Sequence, residues 1–92
     1  MIVNFYATLR SIVGTRQVEF PLPPGGTLRQ LIAEIVRQYP ALRAEMLDSQ
    51  GDLLGHIHIF VNGRDSTLLV DTLDTILKPT DTIAIFPPVG GG

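Results

Sequence analysis

The chain has 92 residues, of which 45% are apolar and 17% charged, and its net charge is −2. A length of this order holds one small domain, and the apolar content excludes a disordered tail. Cysteine is absent, which excludes a disulfide scaffold, a thiolate zinc site and a cysteine nucleophile.

The distribution of charged and apolar residues narrows the class of protein further. Seven basic and nine acidic residues form no basic stripe, so we expect no nucleic-acid partner. No basic segment precedes an apolar one at the start of the sequence, and no apolar stretch approaches the ~20 residues of a membrane span. We therefore expect a cytoplasmic protein with no membrane partner.

The first part of the chain contains two alternating runs. Apolar and polar residues alternate over Ile2–Thr8 and again over Arg16–Leu22, which is typical of half-buried strands. Gly14 between the runs favours a hairpin, and Leu9–Val13 is long enough for one short helical turn. The Pro-Pro-Gly-Gly sequence at residues 23–26 then ends strand pairing, because proline has no amide hydrogen to donate.

The clearest predicted element is a helix that follows Thr27. Thr27 and Gln30 have the spacing of a capping box. Apolar residues then recur at the spacing of one helix face, at Leu28, Leu31, Ile32, Ile35, Val36 and Tyr39. Pro40 ends the helix because it disfavours helical geometry at the residue before it. A second short helical turn is predicted within Ala41–Leu47.

The second part of the chain predicts the rest of a sheet. His56–Val61 alternates as a third strand, and the Asn-Gly pair that follows favours a tight hairpin turn. A short strand is predicted at Leu68–Val70, a helical turn at Asp71–Leu77 and the last strand at Thr82–Phe86. The order predicts an α+β roll, in which one main helix packs across a mixed sheet of four to five strands. We expect this domain to cover residues 1–88, with a flexible glycine tail at residues 89–92.

No sequence motif of a self-contained active site is present. The nucleophile-elbow, phosphate-loop and zinc-protease patterns are all missing. His56 and His58 lie two residues apart on a predicted strand, but no third ligand is suggested. Solvent-facing positions are therefore favoured over a metal site, and we predict no metal.

The C-terminal segment is the part of the sequence that indicates a function. A predicted strand runs directly into Pro87 and Pro88, then into Val89 and three glycines, Gly90, Gly91 and Gly92. A segment without side chains can enter a narrow channel of a partner and present its carboxylate there. Ordering it costs about 1–2 kcal/mol per residue, which the partner must offset. The alternative is a frayed chain end.

Docking of such a tail needs a surface close to its exit. Strand alternation predicts one outer sheet face that carries Tyr6, Phe60, Ala84 and Phe86. Aromatic residues there are typical of a protein interface, with Phe60 and Phe86 as anchors. Single exposed aromatics are also ordinary in strands, which is the alternative. Arg10 and Arg64 are candidates either for pairing with acidic groups of a partner or for plain solvated surface.

Four segments carry a resemblance to a known family. They are Phe-Tyr-Ala-Thr-Leu-Arg at residues 5–10 with Gly14, the helix from Leu28, Val-Asn-Gly-Arg-Asp at 61–65, and Ile-Ala-Ile-Phe-Pro-Pro-Val-Gly-Gly-Gly at 83–92. With them the whole chain resembles the ubiquitin-like, β-grasp sulfur carriers, and specifically the MoaD-like small subunit of molybdopterin synthase. Thr80 and Gly90 depart from it, since the family usually has Gly at the first position and often Ala or Thr at the second.

The resemblance implies a reaction at the chain terminus. An E1-like adenylating enzyme uses ATP and magnesium to adenylate the Gly92 carboxylate, which gives a poor electrophile a leaving group. A sulfur donor, such as a cysteine desulfurase or rhodanese-like protein, then converts it to a thiocarboxylate. The tail enters the molybdopterin synthase large subunit and donates sulfur to a pterin precursor in molybdenum cofactor biosynthesis. The resemblance also implies that the carrier binds no cofactor itself and acts as the sulfur-donating, non-catalytic subunit of the synthase.

Three alternatives stay open. The first is a sulfur carrier for cysteine, thiamin or tRNA thiolation. The second is a ubiquitin-like protein modifier that is joined to target lysines through Gly92. The third is a plain interaction domain that does not use its tail. The segment between Pro40 and His56 resembles carriers devoted to cysteine synthesis and archaeal protein modifiers.

Overall fold

The computed structural model describes residues 1–88. The strands are β1 (Ile2–Phe5), β2 (Gln17–Glu19), β3 (His58–Val61), β4 (Arg64–Asp65) and β5 (Ile83–Phe86). The helices are α1 (Ala7–Val13), α2 (Leu28–Gln38) and α3 (Arg43–Met46), with short 3₁₀ helices at Pro40–Leu42, Ser66–Leu68 and Thr72–Asp74. Within residues 1–88, no helix has the length and apolar character needed to cross a membrane.

The strands form one mixed sheet in the order β2-β1-β5-β3-β4. The central pair, β1 and β5, is parallel, and the other three pairs are antiparallel. Val3 lies opposite Ile83 and Phe5 lies opposite Ile85, so β1 and β5 end at the same edge. The predicted α+β roll is confirmed as a ubiquitin-like β-grasp fold with a five-stranded sheet. Its topology brings Tyr6 and Pro87 to one end of the sheet.

Helix α2 packs on the inner face of the sheet. The predicted capping box is confirmed: Thr27 Oγ1 accepts from the Gln30 amide at 3.2 Å, and Gln30 Oε1 accepts from the Thr27 amide at 2.9 Å. The core under this helix is aliphatic and aromatic, and its fully covered members include Val3, Phe5, Phe20, Leu31, Ile35, Ile59, Ile83 and Ile85. Of the predicted helical stripe, five residues are buried, and Tyr39 is half-buried.

The predicted first strand is too long at its end. Strand β1 stops at Phe5, and Ala7, which lies within the predicted strand Ile2–Thr8, is exposed at the start of α1. Ala7 has a φ of 52°, an uncommon left-handed value that turns the chain out of the sheet. Helix α1 then buries Leu9 completely. A seven-residue helix therefore stands where one helical turn was expected.

The predicted strand at Leu68–Val70 is wrong, because the chain pairs earlier, in β4. Asp65 Oδ1 accepts hydrogen bonds from the Thr67 amide at 2.9 Å and the Thr67 hydroxyl at 2.8 Å. A side chain that bonds to nearby backbone competes with the strand ladder and starts the 3₁₀ helix instead. Leu68 and Val70 are consequently 73% and 99% exposed.

The predicted Asn-Gly turn between β3 and β4 is confirmed. Asn62 and Gly63 both have positive φ, 53° and 82°, as a type I′ hairpin requires. The Asn62 amide group also donates to Asp81 at 2.8 Å and accepts from the Thr82 amide at 2.9 Å. These bonds fasten the hairpin to the turn before β5. The outer faces of β3, β4 and β5 are thereby held in one register.

Candidate functional site

Strand register assembles the outer face of the sheet. His58 lies opposite Phe86, and Phe60 lies opposite Ala84 on one side and Asp65 on the other. Directly opposed residues of antiparallel strands place their side chains on the same face. Five side chains from three strands therefore point away from the core and toward the same surface.

Three aromatic rings, which we call the aromatic cluster, contact one another on this face. Tyr6 and Phe86 stack with centroids 4.2 Å apart and an interplanar angle of 10°. Phe60 meets Phe86 edge to face at 5.4 Å and 87°. All three rings are half-buried, and Phe86 is the ring that joins the other two. Aromatic pairs of these geometries are worth about 0.5–1.5 kcal/mol beyond their buried area.

Arg10 adds a positive charge beside the aromatic cluster. Its Nε donates to the Phe5 carbonyl at 3.0 Å, and its guanidinium carbon lies 5.2 Å from the Tyr6 ring centroid. This distance is within the range of a cation–π interaction. Helix α1 fixes the position of Arg10 relative to Tyr6, because Arg10 lies in this helix and Tyr6 is the residue that precedes it. Helix α1, which is longer than the predicted single turn, therefore places the Arg10 guanidinium beside the aromatic cluster.

A shallow, mainly apolar depression of about 610 Å³ continues from the cluster across the sheet. It is lined by His58, Phe60, Gly63, Asp65, Thr82, Ala84 and Phe86. Ala84 is the smallest side chain that β5 contributes to the depression. The larger rings of Phe60 and Phe86 beside it therefore form the walls of the depression. The depression and the aromatic cluster share two rings and form one continuous surface.

Asp65 is the acidic group of this surface. Hydrogen bonds from Thr67 lower the pKa of the Asp65 carboxyl, and His58 lowers it to a smaller extent. The nearest atoms of the imidazole and the carboxylate, His58 Nδ1 and Asp65 Oδ2, are 3.7 Å apart. Sequence reasoning predicted a solvent-facing position for His58, but it did not include His58 or Asp65 in this surface. The signal was present, because His58 stands two positions before Phe60 on the same strand.

The structure brings together five of the six residues predicted to bind a partner. They are Tyr6, Arg10, Phe60, Ala84 and Phe86. Arg64 is separate: it lies opposite Val61, whose side chain points to the core, so its register places it on the other side of the edge strand. Arg64 is exposed there and does not line the depression.

The chain leaves this surface at the end of β5. Pro87 is buried and Pro88 is exposed, directly after the Phe86 ring of the aromatic cluster. The predicted tail residues Val89, Gly90, Gly91 and Gly92 lie outside the described residues. Within residues 1–88 no three potential ligands form a metal-binding group. His56 and His58 are both exposed, and His56 precedes β3 rather than lying in it.

Two curated proteins of Haloferax volcanii are similar to the chain over nearly its whole length. Small archaeal modifier protein 3 is 28% identical over 90 residues, which is 98% of this chain and 96% of the relative. Small archaeal modifier protein 1 is 30% identical over 89 residues, or 97% of both chains. A crystal structure of the latter, SAMP1, superposes with a TM-score of 0.89 and 28% identity over 100% of this chain and 98% of that one.

Two further solved structures are similar to the chain, and a family model identifies the family to which it belongs. A chain of the Amycolatopsis orientalis BexX/CysO complex has a TM-score of 0.80 and 26% identity, covering 99% of this chain and 98% of that one. The putative molybdopterin converting factor, subunit 1, of Pyrococcus furiosus has a TM-score of 0.75 and 30% identity, covering 96% and 95%. Because residues 3–92 match the ThiS family, the protein belongs to this family of ubiquitin-like β-grasp proteins.

Proposed function

We propose that the protein is a ubiquitin-like modifier that is activated at Gly92 by an E1-like enzyme and then joined to lysine amines of other proteins. The observation that carries the proposal is its similarity, over 98% and 97% of the chain, to two small archaeal modifier proteins. The three glycines that end the sequence supply the reacting segment, because they have no side chains to obstruct a narrow channel.

The chemistry has two balanced steps. The Gly92 carboxylate attacks ATP, held with magnesium by the activating enzyme, and pyrophosphate leaves as the acyl-adenylate forms. A neutral lysine amine then attacks the acyl carbon, the new amide bond forms, AMP leaves and the amine proton goes to solvent. This protein supplies the electrophile and its positioning, and the enzyme supplies the acid–base groups.

The aromatic cluster is the surface on which we expect the activating enzyme to dock. Its rings are half-buried without a covering layer, and Phe86 immediately precedes the two prolines that lead to the tail. A partner held on Tyr6, Phe60 and Phe86 therefore holds the origin of the tail at a set distance. Arg10 gives the partner a position for an acidic group.

The test combines activation with conjugation. Purified protein, a cognate E1-like enzyme, ATP, magnesium and a lysine-rich peptide are incubated, and the products are analysed by intact-mass spectrometry. We expect an adenylate that forms first and an amide-linked peptide adduct that follows it. Deletion of Gly91 and Gly92 is the matched control and should abolish both products, because it leaves a single glycine before the terminal carboxylate. An adenylate that gives no adduct with any amine, but reacts with a sulfur donor, contradicts the modifier function.

A second candidate function is the sulfur-carrying small subunit of molybdopterin synthase. The similarity to the putative molybdopterin converting factor subunit of Pyrococcus furiosus favours it. Here a cysteine desulfurase or rhodanese-like donor attacks the same adenylate, and the Gly92 thiocarboxylate delivers sulfur in the large subunit. A thiocarboxylate mass on the terminus, with rescue of a strain that lacks molybdenum cofactor, distinguishes this function from lysine conjugation.

A further inference from the structure

A second depression, which we call the α2 groove, lies on the helix side of the sheet, away from the aromatic cluster. It has a volume of about 600 Å³ and runs between α2 and the segment that precedes β3. Its lining combines three arginines and one aspartate with mainly apolar or small residues: Arg29, Ile32, Ala33, Val36, Arg37, Arg43, Leu47, Gln50, Gly51, Asp52, Leu53 and Leu73. The depression on the outer face shares none of these residues, so the two surfaces are separate.

Helix α2 forms one wall of the α2 groove. Arg29, Ala33 and Arg37 recur at four-residue intervals, so they form one stripe along the helix. Ala33 is exposed and has the smallest side chain of the stripe, which leaves a gap between the two arginines. Ile32 and Val36 are only 5% and 8% exposed and form an apolar floor beside this gap. A ligand in the gap therefore meets apolar atoms between two guanidinium groups.

The opposite wall is held by bonds within its own loop. Leu47 and Leu53 pair as an antiparallel bridge, which places their side chains side by side. Between them, Asp48 Oδ1 accepts from the Gln50 amide at 2.8 Å and from the Asp52 amide at 3.0 Å. A wall that is already ordered reduces the conformational entropy lost when a ligand binds.

Two of the three arginines have an acidic neighbour within the protein. Arg29 Nε donates to Asp74 Oδ1 at 2.9 Å, and Arg37 Nε donates to Glu34 Oε2 at 2.9 Å. Both arginines are exposed, and pairs of exposed side chains contribute little because solvent screens them. A guanidinium also has more N–H donors than one carboxylate can occupy. Each of these arginines can therefore bind a further carboxylate.

Arg43 supplies the third guanidinium, from helix α3. It is exposed, and no ion pair is found for it within residues 1–88. Asp52 is the acidic residue of the lining, so three positive groups face one negative group. This charge favours an anionic ligand, and the apolar floor favours one that also carries an apolar side chain.

From these observations we infer that the α2 groove binds an acidic segment of a partner protein, in which carboxylates flank an apolar side chain. Arg29 and Arg37 are two four-residue intervals apart on α2, which separates their Cα atoms by roughly 12 Å. In an extended peptide, residues four positions apart are separated by roughly 13 Å, and their side chains and that of the middle residue point to one side. The pattern acidic-x-apolar-x-acidic therefore places carboxylates at the two arginines and an apolar side chain over Ala33. This binding does not use Gly92, and it leaves the outer face of the sheet uncovered.

The test titrates the full chain with the capped peptide Glu-Ser-Leu-Ser-Glu and follows the backbone amide signals by NMR. We expect the chemical-shift changes to be concentrated in residues 29–37 and 47–53, and the affinity to fall as the salt concentration rises. The capped peptide Glu-Glu-Leu-Ser-Ser has the same composition without the spacing, and we expect it to bind about fivefold more weakly. The capped peptide Lys-Ser-Leu-Ser-Lys should produce no change in the groove.

Two substitutions separate the charge of the groove from its shape. Arg43→Glu should weaken binding about tenfold, whereas Arg16→Glu makes the same change of charge at an exposed position outside the groove and should weaken it less than about twofold. Ala33→Gln fills the gap with a neutral side chain that a helix accepts, and should weaken binding about tenfold. Ala33→Ser leaves the gap open and should bind like the wild type. Circular dichroism verifies that each variant is folded.

Several outcomes overturn the inference. They are the absence of shift changes in the groove, equal binding of the two acidic peptides, and equal losses in Arg43→Glu and Arg16→Glu. Tighter binding of a single-stranded oligothymidylate at the same residues also overturns it, because the ligand would then be a nucleic acid. Arg43→Glu should be adenylated at the wild-type rate in ATP–pyrophosphate exchange. Slower adenylation would make the groove a part of the surface that docks the activating enzyme, and would overturn its separate role.

Discussion

The two faces of the sheet differ in burial, although their residues alternate along the same strands. On the inner face, Ile59 and Ile85 are completely covered by helix α2 and the segments around it. On the outer face, Phe60 and Phe86 are half-buried, and their rings contact each other instead of a covering layer. Burial of the first pair stabilises the domain. Exposure of the second pair keeps apolar surface available for a partner, so one sheet separates stability from recognition.

The largest effect is expected from breaking the inner face. Ile59→Ala removes a fully covered side chain, and we expect the free energy of unfolding to fall by about 3 kcal/mol. This is a large part of the 5–15 kcal/mol typical of a small domain. Urea unfolding followed by circular dichroism measures it. Ile59→Val is the matched control, with an expected loss of about 1 kcal/mol. Equal losses in the two variants would show that the site relaxes around the cavity.

The adjacent residue tests the outer face. Phe60→Ala loses its edge-to-face contact with Phe86 and its half-buried apolar area, so we expect stability to fall by about 2 kcal/mol. Adenylation of Gly92 should slow about tenfold at low enzyme concentration, equivalent to ~1.4 kcal/mol of docking free energy. ATP–pyrophosphate exchange measures the rate, and Phe60→Leu should retain most of it. Unchanged adenylation in Phe60→Ala would remove this face from the docking surface.

How far the sequence predicts the molecule depends on the length of each pattern. The stripe of α2 repeats over three turns, and the alternation in β1, β3 and β5 is uninterrupted, so the fold and the outer-face aromatics followed from periodicity. The segments for which the prediction was wrong are each determined by one local feature. Ala7 adopts a left-handed φ, and Asp65 bonds to Thr67, and neither choice has a periodic signal. The Arg10 position depends on the first of these.

A smaller effect on stability is expected at the start of helix α2, away from the docking surface. Thr27→Ala removes the side chain that accepts from the Gln30 amide, and we expect a loss of about 1 kcal/mol in the free energy of unfolding. Thr27→Ser keeps the acceptor and should recover most of this loss. Both variants should be adenylated at the wild-type rate at temperatures where they are folded. Slower adenylation by folded Thr27→Ala would mean that the two faces are coupled through α2.

The smallest effect concerns the acid side of the pH profile. The pKa of the Asp65 carboxyl lies below its ordinary value of 3.8, first because of hydrogen bonds from Thr67 and then because of His58. A lowered pKa in the folded state contributes stability that is present above pH ~4 and is lost as the pH falls through the folded value. The urea midpoint of the wild type should therefore drop between pH 7 and pH ~3 by more than that of Asp65→Asn.

Glu34, a second carboxylate with a lowered pKa, serves as the control for the pH dependence of the urea midpoint. Hydrogen bonds from Arg37 and Gln38 on α2 lower its pKa to about 2, so its contribution is lost in the same direction as the pH falls. Glu34→Gln removes this contribution without touching the outer face, and Asp65→Asn leaves it in place. If Asp65→Asn alone also slows adenylation at neutral pH, the carboxylate contributes to docking as well as to the hairpin. If its urea midpoint falls with acid as steeply as that of the wild type, the Asp65 carboxylate and its bonds from Thr67 contribute nothing to the acid response.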